Sequence, residues 1–188
     1  MTEPGPVRLL VVCTANQCRS PLGEVIARFD LERRGIPAVV ASAGFLQGGV
    51  PAAEGSVQTA ARRGLDLRSH HSRRIDPDML DAADVVLAME GAHVMRLVGD
   101  WPERTDHVLT VEGAAAAARL GVPGAPLDGP GLRAWAVAAQ PRVLGRVLDT
   151  TDDVPDPMHG PARAYRRTAD LLADRFTVLF DAWFGRPT

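Results

Sequence analysis

In the stretch Val11-Val12-Cys13-Thr14-Ala15-Asn16-Gln17-Cys18-Arg19-Ser20-Pro21, a cysteine is followed, after five intervening residues, by arginine, serine and proline. Cysteine is a strong nucleophile once it is a thiolate, and arginine offers a planar fork that grips an oxyanion in two places. A loop running from Cys13 through Thr14, Ala15, Asn16, Gln17 and Cys18 to Arg19, wrapped at a helix N-terminus, would aim several backbone N–H groups at one anion. Such surroundings favour a thiolate. Nucleophile, oxyanion cradle and bidentate clamp are together what attack on a phosphate ester requires.

This loop needs a strand before it and a helix after it. Val7 to Val12 is almost entirely apolar and reads as a central parallel strand buried on both faces. Pro21 suits the first turn of a helix, where its missing N–H costs nothing, and the helix is expected to run to Arg34, with Gly35 as its stop. Pro37 to Ala41 reads as a second strand leading into Ser42-Ala43-Gly44. A Gly-rich loop over Phe45 to Pro51 and a helix over Ala52 to Arg63 follow. A short helix at Pro77 to Ala82, a strand at Ala83 to Met89, a helix at Glu90 to Val98 and a fourth strand at His107 to Thr110 come next. Strands alternating with helices predict a doubly wound α/β domain around a parallel sheet. Ala114 to Ala118 favours helix, Gly121 to Gly131 a loop, and Leu132 to Leu148 a helix interrupted at Pro141. A closing helix is expected over Pro161 to Phe184.

The 188 residues suggest one domain spanning 1–188, with an insertion or elaborated connection at about 113–150 that reads as a surface elaboration. A formal net charge of −2 gives no basic balance arguing for nucleic acid. Met1 to Pro6 is polar and the next apolar run is too short for a signal peptide or a membrane span, so a cytoplasmic protein without membrane association is expected. Both cysteines lie in the one loop, which excludes a disulfide scaffold. Cys18 is placed to form a reversible disulfide that shields Cys13 from overoxidation. His70 and His71 have no metal-ligating partner at useful spacing and read as plain polar residues; no metal and no cofactor are expected.

Asp152-Asp153-Val154-Pro155-Asp156-Pro157 lies just before the closing helix. Cys13-x5-Arg19-Ser20-Pro21 near the N-terminus, with Asp156-Pro157 in that place, resembles the low-molecular-weight protein tyrosine phosphatase family. The resemblance covers most of the chain outside about 113–150. It implies a central four-stranded sheet of order 2-1-3-4, Cys13 as nucleophile, Arg19 as phosphate clamp and Asp156 as general acid, with Asp153 as the fallback acid. It further implies a phosphate cradle over Thr14 to Arg19, with Asn16, Ser20 and Ser42 holding loop and thiolate by hydrogen bonds. Asparagine tolerates the left-handed backbone a tight loop needs. Ala15 stands where many relatives carry glycine, and we expect a backbone there that alanine tolerates.

The implied reaction is hydrolysis of phosphomonoesters, protein phosphotyrosine first, through a phosphocysteine intermediate. The partner is a phosphorylated protein or small phosphomonoester, with oligomeric state left open. Met158 and His159 occupy the place where relatives carry aromatic walls for the phosphotyrosine ring, and Phe45 and Leu46 are the substitutes the sequence offers. Two other readings stay open. One is an arsenate reductase coupled to a small thiol; the thioredoxin-coupled kind needs two downstream cysteines that this chain lacks. The other is a catalytically silent phosphate-binding module.

Overall fold

The computed structural model describes residues 5–145 and 153–187. Strand β1, Val7–Cys13, is buried at every position except Arg8, as its apolar run requires. It pairs on one side with β2 (Ala38–Gly44) and on the other with β3 (Val85–Ala88), which pairs with β4 (Val108–Thr110). All pairings are parallel and the order is β2-β1-β3-β4. This is the expected doubly wound α/β sheet. The chain reverses direction across it between β1 and β3, and ligands of such sheets bind at the carboxyl ends of the strands there.

Among the described residues the helices are α1 (Arg19–Arg33), α2 (Glu54–Ala61), α3 (Pro77–Ala82), α4 (Gly91–Asp100), α5 (Val111–Arg119), α6 (Gly129–Leu144) and α7 (Ala162–Phe184), with a 3-10 turn at Pro102–Arg104. One core packs α1, α5, α6 and α7 against the sheet around Leu22, Phe176, Phe180 and Trp183, with Trp135 edge-on to Trp183 at 5.2 Å. A second, smaller core lies on the opposite face around Leu80, Val86, Val94 and Leu97.

Three local expectations differ from the structure. First, β2 does not stop at Ala41. It continues through Ser42 and Ala43 to Gly44, because its pairing with β1 runs unbroken from Val7↔Ala38 to Cys13↔Gly44. Second, the described part of 113–150 is not a surface elaboration. Ala114, Ala115 and Ala118 of α5 and Leu132, Trp135, Ala136 and Val143 of α6 belong to the main core. Third, α6 continues through Pro141. The proline leaves the Val137 carbonyl without its helical donor, on a residue that is 38% exposed. The end of the helix expected to reach Leu148, and Asp152, lie outside the described residues.

The pairing of Cys13 with Gly44 brings the start of the loop against the end of β2. A Cβ at Gly44 would lie 2.7 Å from the Asn16 nitrogen, 2.8 Å from the Thr14 oxygen and 2.9 Å from the Ala15 carbonyl carbon. All three are backbone atoms, so no rotamer change relieves the clash. Gly44→Ala is therefore expected to lower stability in urea unfolding by roughly 1–3 kcal/mol, the usual cost of overpacking. It should also weaken phosphate binding by calorimetry. Unchanged binding would show that the loop tolerates the displacement.

Candidate active site

The loop from Cys13 to Arg19 turns at the carboxyl end of β1. Its carbonyls are engaged from outside: Thr14 O accepts from Phe45 N at 2.7 Å, Gln17 O from Ala53 N at 2.8 Å, and Asn16 O from His70 Nε2 at 2.9 Å. A carbonyl only accepts, so His70 carries its proton on Nε2. Among the described residues no backbone N–H from Thr14 to Cys18 donates to a protein acceptor. With the carbonyls tied outward, these N–H groups are left for a ligand, which is the composition of an anion nest.

Asn16 is fully buried and takes φ +54°, the left-handed conformation; Ala15 does not have a positive φ, as expected. The Asn16 Oδ1 accepts from Arg73 N at 2.8 Å, which fixes the amide orientation. Its Nδ2 then donates to Ser20 Oγ at 2.9 Å and Ser42 Oγ at 2.8 Å. Ser42 passes its own proton to Glu24 Oε2 at 2.5 Å. Ser20, accepting from Asn16, has its hydroxyl proton free for Cys13 Sγ, 3.0 Å away and nearer than the Ala43 carbonyl at 3.4 Å. The three supporting residues named from sequence thus form one directed network ending at the sulfur.

Arg19 is 1% exposed. Its Nη1 donates to Glu90 Oε1 and to Val154 O at 3.1 Å, its Nη2 to Asp156 Oδ2 at 2.8 Å, and its Nε–H is buried with no partner. Asp156 also accepts from Met158 N through Oδ1 at 3.0 Å. Asp153 is used differently: its Oδ1 accepts from Gly91 N at 2.8 Å, the first turn of α4. Val154 N bonds Met89 O at 2.8 Å beside it. Of the two aspartates, Asp156 is therefore the one brought to Arg19, and Asp153 helps anchor the segment to the end of β3.

Cys18 is the N-cap residue of α1 and is buried, its Sγ 3.6 Å from Met158 Sδ. Burial pushes its thiol up to about 11. Both Cys13 and Cys18 are free thiols. Of the two offered ring walls, Leu46 is 49% exposed, but Phe45 is buried, stacked on His93 with ring centroids 5.6 Å apart and with Arg96 over its ring at 4.5 Å.

Sequence reasoning missed Glu90, His93 and Tyr165, and read His70, which holds the Asn16 carbonyl, as a plain polar residue. Glu90 sits just past the carboxyl end of β3, beside β1, the place where site residues gather in this architecture; that position was the available signal. His93 lies one turn further, its Nε2 2.9 Å from Thr14 Oγ1 and 3.8 Å from Glu90 Oε2. Tyr165 packs where a Cβ on Gly55 would meet its ring at 2.6 Å, and neighbours Cys18.

The family model described as low molecular weight phosphotyrosine protein phosphatase matches residues 8–124. The chain belongs to this family. Among low molecular weight phosphatases, EpsP of Ralstonia nicotianae, described as a probable low molecular weight protein-tyrosine-phosphatase, is 32% identical over 100 residues, 53% of this chain and 67% of that one. The protein-arginine-phosphatase of Geobacillus stearothermophilus is 28% identical over 169 residues, 89% of each chain. The structure of a low molecular weight protein tyrosine phosphatase from T. tengcongensis superposes with a TM-score of 0.70 at 28% identity, covering 93% of this chain and 98% of that one. The protein is thus a cysteine-based phosphatase of the low molecular weight family. The family model stops before α6, the Asp156 segment and α7.

Burial lowers the His93 imidazole to about 4 from its ordinary 6.5, with Glu90 and Asp156 pulling it back up and Arg19 and Arg96 pushing it further down. The unfolded chain takes up the proton first as pH falls. His93 therefore contributes full stability above about pH 6.5, and that contribution is lost on acidification towards about pH 4. Urea midpoints should drop across this window, and His93→Gln should flatten the drop. His107, also lowered by burial, contributes with the same sign and remains in the variant. A pH profile identical in wild type and His93→Gln would show that His93 does not titrate this way.

Proposed function

We propose that Cys13 is the nucleophile, Arg19 the phosphate clamp and Asp156 the general acid of a protein phosphatase acting in the cytoplasm, where free thiols stay reduced. The observation that carries this reading is Arg19 itself. It closes the loop that Cys13 opens, and it holds Asp156 at 2.8 Å across 137 residues of sequence. The Cys13 thiolate, supported by the Ser20 hydroxyl, attacks phosphorus in line. A P–S bond forms, the bond to the leaving oxygen breaks, and that oxygen takes the proton of Asp156. Phosphate oxygens occupy the free N–H groups of Thr14 to Cys18 and the Arg19 fork, whose Nε–H is unpaired and whose Nη2 is released when Asp156 turns to the leaving group. Asp156, now a carboxylate, then takes a proton from water as the water attacks phosphocysteine, releasing phosphate and the thiolate.

Protein phosphotyrosine is the substrate class we put first, on family membership. Phosphoarginine is the second reading, and two observations favour it. The relative matched over 169 residues is a protein-arginine-phosphatase. At the mouth, Met158 and His159 replace the expected rings and Phe45 is buried.

Cys13→Ser should abolish aryl phosphate turnover while inorganic phosphate still binds by calorimetry, because the cradle is made of N–H groups and Arg19. Retained turnover would remove Cys13 from its role. A panel of phosphotyrosine, phosphoarginine and phosphoserine peptides, with arsenate plus a small thiol alongside, ranks the substrate classes.

Asp156→Ala should slow turnover by roughly 10² to 10⁴-fold, the range for losing a general acid. The loss should be largest for alkyl phosphates and small for nitrophenyl phosphate, whose leaving group departs well as an anion. Asp153→Ala should keep the wild-type dependence on leaving-group pKa. A steeper dependence in Asp153→Ala than in Asp156→Ala would reverse the assignment.

A further inference from the structure

Between the Asp156 segment and the first turns of α7 lies a groove of about 400 Å³, lined by Pro155, Asp156, Pro157, Arg163, Arg167 and Leu171 among others. Its volume is within the range of about 300–1,000 Å³ typical of ligand clefts. Its floor is largely apolar. Its charged lining is two arginines against one acid, and that acid, Asp156, already bonds Arg19 at 2.8 Å.

The arginines are not there for the helix. α7 has Pro161 as its N-cap residue, with no side-chain cap and no acid in its first turn, while Arg163, Arg166 and Arg167 occupy its first two turns. Cations at a helix N-terminus oppose its macrodipole and cost a few tenths of a kcal/mol or more each. The acids further along α7 are engaged elsewhere: Asp170 with Arg63, Asp174 with Arg175 and Asp181 with Arg34. Among the described residues, neither Arg163 nor Arg167 has an acidic partner within salt-bridge distance. Local rules broken without local compensation mark a functional surface.

We propose that this groove seats the polypeptide flanking the phosphoresidue and selects an acidic one, an inference that rests on the protein-phosphatase reading above. Asp156 belongs to both places. It bonds the Arg19 guanidinium and it lines the groove, so a substrate whose phosphate sits in the cradle has its neighbouring residues beside Arg163 and Arg167. Pro155, Pro157 and Leu171 receive the aliphatic part of a flanking glutamate or aspartate, and the two guanidiniums face its carboxylate. The cradle recognises the phosphate and the groove recognises what is attached to it.

The test is kcat/KM for a phosphotyrosine peptide flanked by Asp and Glu against the same peptide flanked by Ser and Gly, with the same pair built on phosphoarginine in parallel. Wild type should prefer the acidic peptide by roughly 2- to 30-fold, the sum of two exposed ion pairs, through KM rather than kcat and less so at high salt. Arg163→Ala with Arg167→Ala should bring that ratio towards one. Arg163→Glu with Arg167→Glu should invert it and favour a peptide flanked by Lys. Turnover of nitrophenyl phosphate, which has no flanking chain, separates this inference from the reading it rests on. If wild type hydrolyses nitrophenyl phosphate but shows no acidic preference, the docking inference is wrong and the phosphatase reading stands. An acidic preference that survives both double variants likewise overturns it, by placing the selection elsewhere. If wild type hydrolyses neither nitrophenyl phosphate nor any peptide, both readings fall together. Binding of wild type to anionic vesicles that the charge-reversed variant loses, with the peptide ratio unchanged, would assign the arginines to a lipid surface and reject a peptide groove.

Discussion

A guanidinium that is 1% exposed sets the terms for everything around it. Taking such an ion out of water costs several kcal/mol unless charge and hydrogen bonds offset it. Arg19 meets that demand with Glu90 from the end of β3, Val154 O and Asp156 from the segment before α7. Two pieces of chain far apart in sequence are therefore drawn to the carboxyl end of β1. Asp153 on Gly91 N and Val154 N on Met89 O then pin the Asp156 segment to the β3–α4 junction. Asp156 is held near the Cys13–Arg19 loop by an arginine whose own burial requires an acidic partner.

Asn16 plays the corresponding part inside the loop. One residue in the left-handed conformation turns the chain so that neighbouring carbonyls point outward to Phe45, Ala53 and His70. Its amide, oriented by Arg73 N, sends one donor to Ser20 and one to Ser42. A rigid N–H cradle and a hydroxyl aimed at sulfur thus come from the same side chain. The close approach of β2 to this loop depends on Gly44 having no Cβ.

Much of this was legible in the chain. The apolar run ending at Cys13, the Arg-Ser-Pro that follows and the Asp-Pro before α7 carry local and positional information, and the strand–helix alternation announced the parallel sheet. The supporting roles of Asn16, Ser20 and Ser42 came with the family resemblance. What was hidden depends on tertiary contact. Glu90 is a single carboxylate after a short strand, and nothing in its neighbourhood shows that it faces a buried arginine. His93 and Phe45 reveal their pairing only once α4 packs against the loop after β2. The alanine-rich α5 and the proline-containing α6 lack the wide apolar stripe of an ordinary core helix. Small side chains and one large Trp135 bury them nonetheless, because close approach substitutes for bulk.

The unpaired Nε–H of Arg19 has a consequence for the end of the reaction rather than its beginning. A buried donor without an acceptor costs about 1–3 kcal/mol for an ordinary group and more for a charged one. Any tetrahedral oxyanion relieves that deficit, whether it arrives as an ester or is left behind as inorganic phosphate. In the proposed reaction the phosphate left behind satisfies the same donor as the ester it came from, so affinity for the substrate carries affinity for the product with it.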